Sequence, residues 1–187
     1  MNNSTVTLTP FASGDSAVAS IQADVSGNQH GLMRISFVVK GDIGRLKIPQ
    51  QAPALHADRL WEHTCFEAFI RVDENPSYCE FNFSPSGEWA AYSFRGYRDG
   101  GAIDDAGWSP EIEVRRGSDR IELDAVVPLD RSPAIQSGSK LRIALSAVIE
   151  AGDGTLSYWA LKHPSAKPDF HHPASFALEL AFPGQRA

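Results

Sequence analysis

Apolar and polar residues alternate along most of the chain. From 17 to 25, Ala17, Ala19, Ile21, Ala23 and Val25 fall on one side, against Ser20, Gln22 and Asp24. From 32 to 39, Met33, Ile35, Phe37 and Val39 oppose Arg34 and Ser36. The same period of two recurs in 119–127, in 140–150 and in 175–182, where Phe176, Leu178, Leu180 and Phe182 form the apolar side. A period of two with one apolar face predicts half-buried antiparallel strands. Turn signals separate the runs: Gly27-Asn28, Gly41-Asp42, Asn75-Pro76, Pro85-Ser86-Gly87, Gly117-Ser118 and Gly152-Asp153-Gly154. Only 57–61 looks helical, for about one turn. The pattern predicts an all-β fold, an antiparallel two-sheet β-sandwich of about 10–12 strands, in one domain over 1–187.

The runs TCFEAFIRV (64–72) and YCEFNFS (78–84) flank a turn and predict a central hairpin. Matching their apolar residues puts Phe66, Ala68, Ile70 and Val72 on one side of the sheet with Cys79, Phe81 and Phe83. Cys65, Glu67, Phe69 and Arg71 then share the other side with Tyr78, Glu80 and Asn82. Glu67 falls opposite Asn82 or Ser84. Cys65 and Cys79 point to opposite faces, which predicts two free thiols.

Composition narrows the function. The chain has 187 residues, 42% apolar and 21% charged, with a net charge of −6. That balance suits a folded domain and argues against a nucleic-acid partner. No apolar run approaches the roughly 18 residues of a membrane span. The opening MNNSTVTLTPF has no basic and apolar leader pattern, so a cytoplasmic protein without a membrane partner is expected.

The candidate chemistry is a set of aromatic and polar groups. Trp61, Trp89 and Trp159 sit at the edges of predicted strands. Tryptophans on a sandwich usually pack in or beside the core. Aromatic rings paired with carboxylates and amides also hold sugars, the ring against the C–H face and the polar groups on the hydroxyls. The segment LKHPSAKPDFHHPASF carries Lys162, His163, Asp169, His171 and His172, stiffened by Pro164, Pro168 and Pro173. Its spacing matches no metal motif, and no metal cofactor is expected. No nucleophile motif appears, and catalytic residues are expected to be none.

WEHTCFEAFIRV, YCEFNFSPSGEWAAYSF and YWALKHPSAKPDFHHPASFALEL resemble the bacterial DOMON-like proteins, related to DOMON domains and to family 9 carbohydrate-binding modules. The resemblance spans residues 15 to 183 and implies a jelly-roll-like sandwich that binds its ligand on one sheet face. Sugar and haem are the two ligand classes it implies. For haem, the only internal methionine is Met33, which shares an apolar face with Ile35 and Phe37 and reads as core. The expectation is therefore non-catalytic binding of a small polar ligand, a carbohydrate, by a monomer or weak homodimer. The expected ligand-binding residues are Trp61, His63, Glu67, Glu80, Asn82, Trp89, Trp159, Lys162, His163, Asp169 and His171. Trp61, His63 and Trp89 wall the site, and the 162–172 loop closes it. A haem-binding domain, a carbohydrate-active enzyme and an interaction module are the alternatives.

Overall fold

A computed structural model describes residues 3–183, apart from 13, 15, 16, 29 and 137. Its strands are β1 (Asn3–Pro10), β2 (Val18–Gly27), β3 (Leu32–Gly41), β4 (Cys65–Val72), β5 (Tyr78–Phe83) and β6 (Trp89–Gly96). They continue with β7 (Asp99–Ala102), β8 (Glu111–Arg116), β9 (Arg120–Pro128), β10 (Lys140–Glu150), β11 (Leu156–Ala160) and β12 (Leu178–Ala181). The order across the sheet is β7-β6-β5-β4-β10-β11-β1-β2-β3-β9-β8, with β12 beside β10. Every strand pair is antiparallel.

β1 and β11 share a register of only two residue pairs, Thr9 with Ala160 and Pro10 with Trp159. About this junction the sheet folds over, and its two halves meet across one apolar core. Phe37 of β3 stacks on Phe66 of β4 with ring centroids 5.0 Å apart. Inward residues of both halves, such as Ile21, Ile35, Ala68, Phe81, Leu123 and Ile143, are fully buried in the same cluster. Met33 is one of them.

The hairpin register matches the sequence expectation. Glu67 pairs with Asn82, and Phe66 with Phe83. Both cysteines are free and buried; Cys79 lies in the inter-sheet core and Cys65 against the outer face. Three local expectations fail. A register shift between Val18 and Ser20 buries Val18 and leaves Ala19 exposed. Residues 173–175 form a short 3-10 turn, so the last strand begins only at Leu178. Phe176, released from that strand, packs on the outer face while Leu180 and Phe182 enter the core.

β5 is buried at every residue. A second apolar cluster covers the outer face of β4, β5 and β6, built from Leu60, Cys65, Phe69, Tyr78, Tyr92, Phe94 and Phe176. Three chain segments lie over that face: the stretch around 58–62, the β6–β7 hairpin, and the 168–176 loop. They convert what would be a solvated surface into a cavity. No described helix is long and apolar enough to cross a membrane.

Candidate functional site

Strand pairing sets the floor of the cavity. One cross-strand row runs Ala102, Tyr92, Glu80, Phe69, Ala144; the next runs Ala90, Asn82, Glu67, Ser146, Ala160. Glu67 and Glu80 therefore sit on neighbouring strands as diagonal neighbours on one face. The cavity above them measures about 590 Å³ and is lined by Asp58, Trp61, Glu67, Glu80, Tyr92, Phe94, Arg98, Gly100, Gly101, Ala102, Val148, Tyr158, Pro168, Phe170 and His171.

The walls are aromatic. Trp61, 39% exposed, meets Tyr92 edge-on with centroids 5.9 Å apart. Tyr158 and Phe170 lie 6.3 Å apart on another side. Tyr78 and Phe94 stack at 4.7 Å and support the His171 ring, 5.2 Å from Phe94. Gly100 lets β7 close against β6, since a Cβ there would stand 2.0 Å from the Ser93 carbonyl oxygen. Arg59, next to the lining residue Asp58, and Arg98, itself in the lining, both take positive φ, 61° and 55°. Arg98 is held there from both ends: its backbone N–H donates to the Tyr78 hydroxyl at 3.2 Å, and its guanidinium to Asp169 at 3.0 Å.

The two carboxyls are the electrostatic centre. Glu67 is 3% exposed and Glu80 5%. Ser146 Oγ donates to Glu67 Oε2 at 2.9 Å, and Asn82 Nδ2 to Glu80 Oε1 at 3.0 Å. Neither carboxyl has an arginine or lysine partner among the described ion pairs. Burial, with mutual repulsion for Glu67, raises both above the ordinary glutamate range. His171 is shifted the other way, down to about 4, by burial and by the Arg98 charge. It is neutral at pH 7. Its Nδ1 lies 2.9 Å from the Tyr78 hydroxyl and its Nε2 3.7 Å from Glu80 Oε2. Tyr97 and Arg98 hold Asp169 as the anion, its carboxyl below the usual range despite burial.

The predicted residues thus divide. Trp61, Glu67, Glu80 and His171 line the cavity. Asn82 lies in its floor, and Asp169 braces its rim through Arg98. Trp89 and Trp159 do not reach it. Each has the wrong strand parity, since Trp89 pairs with Phe83 and Trp159 with Ala147, and both tryptophans are buried in the inter-sheet core. His63 is drawn away to Glu150, Nδ1 to Oε2 at 2.7 Å, beside Lys47. His163 lies 2.8 Å from the Thr9 carbonyl oxygen and edge-on to Phe11, on the far side of β11. Lys162 is exposed and absent from the lining.

The residues that sequence reasoning missed are Asp58, Tyr92, Phe94, Arg98, Tyr158 and Phe170. Parity would have found three: Tyr92 and Phe94 alternate with Trp89, and Tyr158 precedes Trp159. Arg98 sits in a hairpin turn, where no periodicity marks it. Among the described residues, no group of three His, Cys, Asp or Glu side chains stands together as a metal cage. A second cleft of about 650 Å³ lies where β1, β2 and β11 meet, with Thr7, Ser20, Arg45, Asp153 and Trp159 in its lining.

No protein-family model matches the sequence, and no curated protein does. Solved structures do. A protein from Bacteroides uniformis ATCC 8492, provisionally described as carbohydrate-binding, superposes with a TM-score of 0.67 at 16% identity, over 87% of this chain and 78% of that one. A family 9 carbohydrate-binding module from Caldicellulosiruptor kristjanssonii in complex with glucose gives 0.55 at 11% identity, over 93% and 81%. The cellotriose complex of a family 9 module from that organism gives 0.56 at 10%, over 93% and 80%. At these identities the likeness is one of fold, and the chain shares its β architecture with these proteins.

Proposed function

We propose that the chain binds a small carbohydrate, without transforming it, in the cavity over β4, β5 and β6. The observation that carries this reading is the combination of aromatic walls with buried carboxyls that each keep one oxygen free of hydrogen bonds among the described residues. Trp61, Tyr92 and Tyr158 offer ring faces and edges to sugar C–H groups. Glu67, Glu80, Arg98 and His171 offer acceptors and donors to hydroxyls. The volume suits one or two sugar rings, and the solved modules of similar fold are in complex with glucose and cellotriose. The finer likeness to bacterial DOMON-like proteins, one domain over the whole chain, rests on the EFNFSPSGEWAAY and KPDFHH segments.

Titration calorimetry and tryptophan fluorescence against glucose, cellotriose and a broad sugar panel test the proposal. Saturable heat from at least one sugar, with a change in Trp61 emission, is the expected result. A folded protein that gives neither heat nor a fluorescence change with any sugar overturns it. A second reading, glycoside hydrolysis, is favoured by one observation, two carboxyls of raised pKa side by side on the floor of a cavity. Release of aryl groups from an aryl-glycoside panel, lost in Glu67→Gln, would establish it in place of simple binding.

A further inference from the structure

The charge balance of the cavity is incomplete. Asp169 and Arg98 neutralise each other at the rim. His171 is neutral. Asp58 accepts from the Tyr92 hydroxyl at 2.6 Å and adds a negative charge at the mouth. Arg71 shares the outer face, but its guanidinium lies over the Phe176 ring, 4.7 Å from the centroid, and not on Glu80. Glu67 and Glu80 feel the Arg98 charge but have no cation paired to them directly among the described residues, because the Arg98 guanidinium is taken by Asp169. Each has one oxygen held by a neutral donor, while Glu67 Oε1 takes no hydrogen bond among the described residues and Glu80 Oε2 has only the His171 Nε2 at 3.7 Å.

A third acceptor points the same way. Asn82 is completely buried beside both glutamates, and its Oδ1 finds no donor among the described residues. A buried acceptor without a donor is destabilising, and a buried carboxylate without a cation is more so. The floor of the cavity therefore offers several acceptors and very few donors. Aromatic rings stand around it, and their faces attract a positive charge.

We infer that the ligand is a sugar bearing a protonated amine, whose ammonium sits between Glu67 and Glu80. This inference rests on the carbohydrate reading above and names the substrate class of that site. An ammonium has three donors and one charge. It supplies a hydrogen bond to each free carboxyl oxygen and gives the pair its missing counter-ion. A neutral hydroxyl in that place supplies one donor and no charge. The sugar ring then lies against Trp61 and Tyr92, with Arg98 and His171 reaching its remaining hydroxyls. When both carboxyls ionise around the ammonium, the proton they retained leaves for solvent, so binding releases a proton to the buffer.

Calorimetry of the intact chain with glucosamine, glucose and N-acetylglucosamine at about pH 7, in low salt, decides the matter. Glucosamine is expected to bind at least about tenfold tighter than either neutral sugar. Its heat is expected to change with the ionisation enthalpy of the buffer in the sense of proton release, a readout that needs no variant. In Glu67→Gln, checked for folding by circular dichroism, the preference should fall towards equality. If glucose or N-acetylglucosamine binds as tightly as glucosamine, the ammonium inference is overturned and sugar binding stands. If no sugar binds at all, both fall.

Discussion

The two outer faces of this protein treat charge in opposite ways. On β3, β9 and β8, each buried or half-buried carboxylate has an arginine. Asp124 takes Arg115 at 2.6 Å and Arg34 at 2.9 Å, and Ser36 also donates to it. Arg115 reaches Glu122 and Glu113 as well, both at 2.9 Å. These bonds outweigh the cost of burial and hold the Asp124 carboxyl below its usual range. On β4, β5 and β6, Glu67 and Glu80 are as deeply buried but are hydrogen-bonded only by a hydroxyl and an amide among the described residues, with the neutral His171 ring beside Glu80, and their pKa values rise. The first face is a solvated sheet surface laced with cross-strand pairs. The second is a covered surface whose charge is unsatisfied within the protein. Such an arrangement costs stability, and it is retained where a site needs it.

If the covered face is built like an interior, truncating its aromatic floor should cost as much as truncating the core. Phe69→Ala is expected to lose about 3–5 kcal/mol of stability. Val38→Ala, on the solvated face, should lose under about 1 kcal/mol. Denaturant melts compare them; equal small losses would show that the outer cluster is only loosely packed.

The pH dependence should separate the two faces next. A glutamate whose folded pKa is raised keeps a proton that the unfolded chain has given up. Stability is then full below the unfolded value and falls as pH rises through the folded values, about 7 for Glu80 and about 8 for Glu67. The slope is about 1.4 kcal/mol per pH unit for each retained proton. His171, depressed to about 4, acts in the opposite sense between about 4 and its ordinary value, and there offsets one of the two glutamates. Above that window the fall with rising pH is unopposed. Thermal or urea melts from acid to mildly alkaline pH should show it, and Glu67→Gln should flatten it. In Asp124→Asn, by contrast, stability should drop by about 1 kcal/mol at neutral pH, with the alkaline slope kept.

The tryptophans sharpen the same contrast in binding. Trp61→Ala should weaken sugar affinity by about tenfold and change stability by no more than about 0.5 kcal/mol. Trp159→Phe should do the reverse, since its ring lies in the core and its indole N–H only reaches Ser157 Oγ at 3.2 Å. The smallest effect belongs to His63→Ala. It removes one contact to Glu150, which keeps Lys47, so stability should change by less than about 1 kcal/mol and sugar affinity by nothing measurable.

Much of this architecture was legible in the sequence, and the pattern of failure has a physical cause. Alternation is a property of the strand backbone, so Phe66, Ala68, Phe81 and Phe83 announced the core face, and Glu67, Glu80 and Asn82 the outer one. Trp89 and Trp159 show parity overriding residue type: a tryptophan at a strand edge suggests a sugar platform, yet its neighbours' pairing turns it inward. Loop residues follow no period. His63 and His163 lie near the hairpin and the 162–172 loop in sequence, but Glu150 and the Thr9 carbonyl, far away along the chain, decide where they point. Arg98 owes its place to a turn braced by Tyr78 and Asp169, which lie far from it along the chain.

Ligand binding is proposed over the covered face of β4, β5 and β6. The most direct measurement is amide chemical-shift mapping of the labelled protein titrated with the sugar that gives the largest heat. Shifts are expected to cluster at Glu67, Glu80, Arg98, Gly100, Gly101 and His171, with the Trp61 indole resonance moving too. Shifts gathered instead around Thr7, Ser20, Arg45 and Asp153, in the cleft beside β1 and β2, would contradict it.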